Sequence, residues 1–167
     1  MRFRIEQRYE EPPDAVMAAF ADPDLYRTYV GLTKVGTPEV LLHRVEGSIV
    51  HLQLRMRFVA DLPSAARAVI DPARLTWVQD ERYDRQAGRA TVEFRPDHYG
   101  DRFSCTGAST FAPAGKGCVR PAEGNLRIRM PLIGGQVERA LVSGLREHFA
   151  EEQPLVARWL ARPRPAP

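Results

Sequence analysis

At 167 residues, 44% hydrophobic and 27% charged, the chain suits one soluble globular domain that buries roughly 70% of its unfolded surface. Its formal charge of +3 comes from 24 basic against 21 acidic residues interleaved without a basic block, which argues against nucleic acid as a partner. No apolar run approaches the roughly 20 residues of a membrane span, and "MRFRIEQRYEE" carries charge throughout and is no signal peptide, so a cytoplasmic protein is expected.

From the N-terminus, Phe3, Ile5, Gln7 and Tyr9 alternate with Arg2, Arg4, Glu6, Arg8 and Glu10, predicting a first strand with one buried face and one wet face. "EPPDAVMAAFADPDLYRTYVGL" predicts two short helices. Pro12 and Pro13 suit a helix start, Val16, Ala19 and Phe20 form an apolar stripe, and Asp22-Pro23 supplies the cap and first position of the second helix. From Lys34 the period changes to two. "VLLHRVEGSIVHLQLRMRFVA" predicts a hairpin about Glu46-Gly47-Ser48, with Val50, Leu52, Leu54, Met56 and Phe58 on the inner face and His51, Gln53, Arg55 and Arg57 on a basic outer face. His43 and His51 are spaced to pair across this hairpin, but no third ligand stands at a metal-site spacing, so no metal is expected. "DLPSAARAVIDPARL" then predicts one or two helical turns crossing the rim, and the sequence leaves open whether residues 60–74 act as a lid.

Strands resume at "TWVQDERYDR", "RATVEFRPD", "DRFSCTGASTFA" and "GCVRPAEGNLRIRM", separated by turn signals at Ala87-Gly88, Tyr99-Gly100-Asp101 and Ala114 to Gly117, an antiparallel meander. Trp77, Gln79, Glu81 and Tyr83 share one face of their strand and Thr76, Val78, Asp80 and Arg82 the other; both faces are mixed, so the pattern does not choose which points inward. A turn near Gly115 and Lys116 sets Cys105 opposite Leu126 and Cys118 opposite Pro113. The cysteines then stand about eight residue rises apart, roughly 25 Å, against a ceiling of roughly 7 Å for bridged Cα atoms. Neither a disulfide nor a zinc site is expected.

Residues 132–161 give one long helical pattern, and the proline-rich 162–167 reads as a flexible tail. At 100° per residue, Val137, Leu141, Gly144, Leu145, His148, Glu152, Leu155 and Trp159 fall in one arc of about 100°, and Pro154 should kink or divide the helix near Glu152. The helix opens from "RMPLIGGQVERALVSGLREHF". Gly134-Gly135 fits neither G-x-x-x-x-G-K-[ST] nor G-x-G-x-x-G, so the pair reads as a joint that turns the chain and brings the helix backbone close to the sheet.

The order of one strand, two short helices, a six-stranded antiparallel run and a long C-terminal helix over residues 2–161 resembles the α+β helix-grip fold of the START-like, or SRPBCC, superfamily. That superfamily includes birch-pollen-allergen-like proteins, lipid-transfer domains and polyketide cyclases. "MPLIGGQVERAL" resembles the opening of the final helix in an uncharacterised bacterial subfamily. The resemblance implies a single domain over 1–161, a curved sheet wrapped around the helix, a cavity between them, and no shared catalytic motif or cofactor.

The residues agree with a cavity on their own terms. Cys105, Gly107 and Ser109 share a face with Phe103 and Phe111 where a filled core would hold Val, Leu or Ile, and Gly144 lies at the middle of the helix's inner face. The expected ligand-facing set is Leu54, Met56 and Phe58; Trp77 and Gln79; Val92 and Phe94; Phe103, Cys105, Gly107 and Ser109; Leu126 and Ile128; and Val137, Leu141, Gly144, Leu145 and His148. For chemistry, His148 and Glu152 are four apart and touch on a helix, and Glu81 would be a polar group in an apolar cavity, so these three are the catalytic candidates, set against the simpler reading of structural polar contacts. Ser104, Ser109 and Ser143 lack a nucleophile motif. The expected function is binding of a small apolar or amphipathic molecule without a cofactor. The alternatives are a polyketide cyclase or dehydratase-like enzyme, or a protein-interaction module with a filled core.

Overall fold

The computed structural model describes residues 1–62, 67 and 70–163. Strand β1 (Arg2–Tyr9) leads into helices α1 (Pro13–Phe20) and α2 (Pro23–Tyr26). There follow β2 (Glu39–Glu46), β3 (Ile49–Arg57), β4 (Thr76–Asp84), β5 (Arg89–Pro96), β6 (Phe103–Thr110), β7 (Ala112–Ala114) and β8 (Gly117–Ile128), and helix α3 (Gly134–Leu160) closes the described chain. The strands form one antiparallel sheet in the order β1-β8-β6-β5-β4-β3-β2, with β7 paired to β8. This is the helix-grip α+β architecture. Among the described residues no helix is long and apolar enough to cross a membrane.

The sheet holds one strand more than the six-stranded run expected after the helices. The chain of β6 breaks at Phe111, whose ring turns into the core beside Phe20 at 5.9 Å, and β7 resumes as a separate short strand. The turn after β7 sets the register that the cysteine argument used: Cys105 lies opposite Leu126 and Cys118 opposite Pro113, and both thiols are free and buried. The β2–β3 hairpin differs from expectation by one residue. Its turn has two residues, Gly47 and Ser48, with Gly47 at φ 59°, so His43 faces Leu52 and His51 faces Arg44. A one-residue shift in register moves a side chain to the other face, and the two histidines cannot pair.

On the convex face His51 instead meets Asp80 at 2.9 Å, joined by Gln53 at 2.7 Å and Arg95 at 3.1 Å. Burial alone would raise the Asp80 carboxyl, but these partners bring it below its ordinary value. The expected rim turns over 60–74 lie partly outside the described residues; within them, Pro72–Arg74 form a short 3-10 turn capped by the Asp71 side chain. Of the expected tail, only Arg162 and Pro163 fall within them.

The solid core sits at one end of the grip. Val16, Phe20, Leu25 and Tyr29 from α1, α2 and the following turn pack with Leu52, Leu54, Tyr83, Cys118 and Val156. Helix α3 crosses β1, β8 and α1 and runs unbroken through Pro154, so the expected division near Glu152 does not occur. Its deepest residues are Gly134, Val142, Glu152 and Val156, a stripe displaced from the expected arc. Val137, Leu141, Gly144 and Leu145 are only half-buried because they border open space. The joint before α3 also divides its work differently from the expected glycine pair. Leu132 takes the left-handed turn at φ 69°, while Gly134 provides the close approach, since a Cβ there would stand 2.8 Å from the Ile128 carbonyl.

Two glycine substitutions test this packing with opposite signs. Gly117→Ala would drive its Cβ into the Tyr9 carbonyl, and thermal unfolding should show a loss of about 2–3 kcal/mol from overpacking. At Gly144, among the described residues and its own stretch of helix aside, nothing lies within 4 Å of the added Cβ, and Gly144→Ala should stabilise by about 1 kcal/mol through helix propensity.

Candidate functional site

Where the core ends, sheet and helix part. Between them lies a cavity of about 570 Å³ walled by the inner faces of β3 to β6, β8 and α3, within the range of small-molecule sites. The strand alternation that the sequence left open is settled by register. Trp77, Gln79, Glu81 and Tyr83 oppose Met56, Leu54, Leu52 and Val50 on the inner face, while Asp80 lies outside. Of the residues expected to face a ligand, Met56, Phe58, Trp77, Gln79, Val92, Phe94, Phe103, Cys105, Gly107, Ser109, Leu126, Ile128, Val137, Leu141, Gly144, Leu145 and His148 border the cavity. Leu54 does not; it is wholly buried in the core cluster.

The small residues create this space in part. Among the described residues, its own stretch of helix aside, nothing lies within 4 Å of where a Cβ on Gly144 would stand, whereas Phe3 lays its ring across Gly124, in the place a Cβ there would need. Phe3 of β1 thus fills the gap that Gly124 leaves, and the cavity opens over Cys105, Val92 and Phe94. Burial pushes the Cys105 thiol up to about 12, which leaves it a small apolar wall residue and no nucleophile.

One end of the cavity is polar. Gln7 and Arg120 are cross-strand partners on β1 and β8, and both turn inward toward Glu152 of α3. The Gln7 amide donates to the Glu152 carboxylate at 3.1 Å and to the Phe149 carbonyl at 2.9 Å. Arg120 donates to Gln7 Oε1 at 2.6 Å and stands 3.5 Å from Glu152 Oε2, with its guanidinium 4.0 Å from the centre of the Phe20 ring. Tyr29 donates to Glu152 Oε1 at 2.9 Å. His148 Nε2 approaches the same oxygen at 3.9 Å, so the expected contact exists, but as the outermost part of a larger network. Burial, reinforced by the Glu152 charge, pushes the Tyr29 hydroxyl up.

A second carboxyl, Glu81, sits deep on the opposite wall. Tyr83 and Gln79 both donate to it, and the Tyr26 hydroxyl lies 3.2 Å from that of Tyr83. Burial raises the Glu81 carboxyl, and the hydrogen bonds from Tyr83 and Gln79 with the Arg120 charge offset this only in part. The catalytic candidates His148, Glu152 and Glu81 therefore all border one cavity.

Arg120 was not singled out from the sequence, although the signal was there. The alternation of Leu126 and Ile128 carried back along β8 places Gly124, Ala122, Arg120 and Cys118 on the same inner face. An arginine at an inward strand position implies a buried acidic partner, and Glu152 is that partner.

The chain has the START-like helix-grip fold, with a cavity between sheet and helix. Solved structures of this fold include the TTHA0849 protein of Thermus thermophilus, 20% identical with a TM-score of 0.66 over 96% of this chain and 97% of that one. Truncated norcoclaurine synthase from Thalictrum flavum is 16% identical, TM-score 0.62, over 98% and 95% of the two chains. The Zhui aromatase/cyclase of Streptomyces sp. R1128 is 11% identical, TM-score 0.61, over 96% and 93%. No curated protein matches the sequence. The chain belongs to the family described as protein of unknown function (DUF2505), whose profile matches residues 4–160.

Two measurements probe the buried acids. Glu152→Ala leaves Arg120 buried without its partner and should lower stability by about 3–5 kcal/mol in chemical denaturation. Glu81 keeps its proton in the folded state above its ordinary value of 4.5, so its stabilising share is present below that pH and is lost as pH rises toward the folded value. The melting temperature of Glu81→Gln relative to the natural protein should therefore climb as pH rises from about 4.5, and a constant difference would contradict the raised carboxyl.

Proposed function

We propose that this protein binds a small, largely apolar molecule in the cavity between sheet and C-terminal helix and serves as its carrier or receptor. The observation that carries the reading is the space of about 570 Å³ whose walls are formed mainly by apolar side chains such as Met56, Val92, Phe94, Leu126, Leu141 and Leu145. Apolar surface of this extent facing a void has no partner atoms to contact, and a ligand that fills it gains both dispersion and desolvation. The interaction-module alternative required a filled core, which this space contradicts. The polar end, built on Arg120, Glu152 and His148, orients whatever polar group the ligand carries.

A second reading, a cyclase-like enzyme, is favoured by one observation: Glu81, a carboxyl raised by burial, borders the same space as His148. A retained proton in an apolar enclosure suits general acid chemistry. Two structures of this fold bear the names aromatase/cyclase and norcoclaurine synthase, which supports the reading by analogy of fold alone.

Binding is tested with the uncharged fluorophore N-phenyl-1-naphthylamine, whose emission rises in apolar surroundings. The natural protein should bind it in the micromolar range. Gly144→Phe, which fills the space above the helix's inner face, should weaken binding by about tenfold or more, equal to about 1.4 kcal/mol, while keeping a cooperative melt. No binding, or binding unaffected by the plug, would overturn the reading.

A further inference from the structure

The two ends of the cavity differ in how their charges are matched. At the inner end Arg120 stands 3.5 Å from Glu152, and Glu81 receives Tyr83 and Gln79. At the other end the lining passes through Arg74, His98, Tyr99 and Arg102, on the turns that precede β4 and β6. Along β6 the wall runs from Phe103 through Cys105 and Gly107 to Ser109, a length of about 20 Å, so an extended apolar body separates the two ends.

Of the other charged residues in the lining, Lys34 pairs with Glu147 at 2.7 Å and Glu123 with Arg4. Among the described residues Arg74 has no carboxylate partner, and Arg102 has only Asp101 at 3.7 Å, a side chain 80% exposed, a pair of little strength. Asp61 is the remaining acid of the lining, set against these two arginines, and residues 62–70 add Arg67 and no acid. The open end is therefore basic.

Arg74 is also held in place. Its guanidinium lies 5.4 Å from the centre of the Tyr99 ring and 3.3 Å from His98 Nδ1. Tyr99 has φ 61°, a left-handed backbone uncommon for an aromatic residue and of the kind that clusters at ligand clamps. The Tyr99 hydroxyl accepts from the Asp71 amide at 3.2 Å, and the Tyr99 carbonyl accepts from the Arg102 amide at 2.9 Å. One strained residue thus ties the turn bearing Arg74 to the turn bearing Arg102.

We propose that the ligand is an amphipathic acid: an apolar chain or ring system lying along the strands, with a carboxylate or phosphate at its outer end received by Arg74 and Arg102. This rests on the reading of the cavity as a ligand site, and it leaves the ligand's inner end to meet Arg120 and Glu152. A guanidinium pairs with the oxygens of either anion in bidentate fashion, and at the open end the anion keeps part of its hydration instead of shedding it in the apolar interior. Arg74 and Arg102 are thereby specificity-determining residues.

The test uses three probes with one chain, dodecanol, dodecanoate and dodecyl phosphate, each displacing N-phenyl-1-naphthylamine from the natural protein and from the double variant Arg74→Gln, Arg102→Gln. At low salt an acid should displace the dye at lower concentration than the alcohol, and its advantage should shrink as salt rises to about 0.15 M. In the double variant the ratio of acid to alcohol affinity should fall about tenfold, with the alcohol's own affinity retained; the tighter of the two acids tells carboxylate from phosphate. Both arginines are exposed, and should the double variant not fold, Arg102→Gln alone gives the same comparison with a smaller fall. The alcohol as the tightest probe, no displacement by either acid, or a ratio unchanged by the variant overturns the proposal, while binding of the dye leaves the cavity reading standing. Absence of dye binding overturns both.

Discussion

Glu152 on the final helix accepts from the Gln7 amide, the Tyr29 hydroxyl and the Arg120 guanidinium, and these contacts fix how the helix lies on the sheet. A buried ion pair contributes little net stability over a well-packed apolar substitute, but it holds a distance that apolar side chains would be free to shorten. Around it, Thr33 donates through its backbone amide to Glu151 at 2.9 Å, and Lys34 pairs with Glu147 at 2.7 Å. Near the helix start, Glu138 accepts the Ile128 amide at 2.9 Å. Polar anchors therefore tie α3 at two places, and the turns between them, bearing Leu141, Gly144 and Leu145, span the cavity.

The same arrangement separates the domain into a packed half and an open half. The short helices fill the first with Val16, Phe20, Leu25 and Tyr29, all almost completely buried. In the second, Gly107 and Gly124 give up side chains, Phe3 reclaims part of the volume, and Gly144 leaves the helix side bare. A protein can maintain such a space without collapse when its walls are hydrogen-bonded strands and a helix anchored by charge. Dispersion lost along the walls is then available to a ligand.

Much of this was legible in the sequence, for identifiable reasons. Strict alternation made β1 and β3 legible, and the turn at Gly115-Lys116 was enough to pair Cys105 with Leu126, because register follows from turn position. Small residues at 105, 107 and 109 signalled the space. What failed depended on longer-range facts. The inner face of β4 is decided by its register with Met56 and Leu54, not by its own mixed pattern. The helix stripe is displaced because Val142 and Val156 pack where Leu141 and Leu145 border a void. Arg120 was overlooked because its partner lies 32 residues further along the chain, on another element, and only the fold brings them together.

If the protein is a carrier or receptor, an apolar ligand occupies the space between the sheet and the free span of the helix. The most direct measurement is a set of amide NMR spectra recorded while 2-ethylnaphthalene is titrated into the protein. Binding there should shift Trp77, Val92, Phe94, Cys105 and Leu126 and the span from Leu141 to His148, and leave the convex-face residues His51, Asp80 and Arg95 unmoved. Shifts centred on the convex face, or none at saturation, would contradict it.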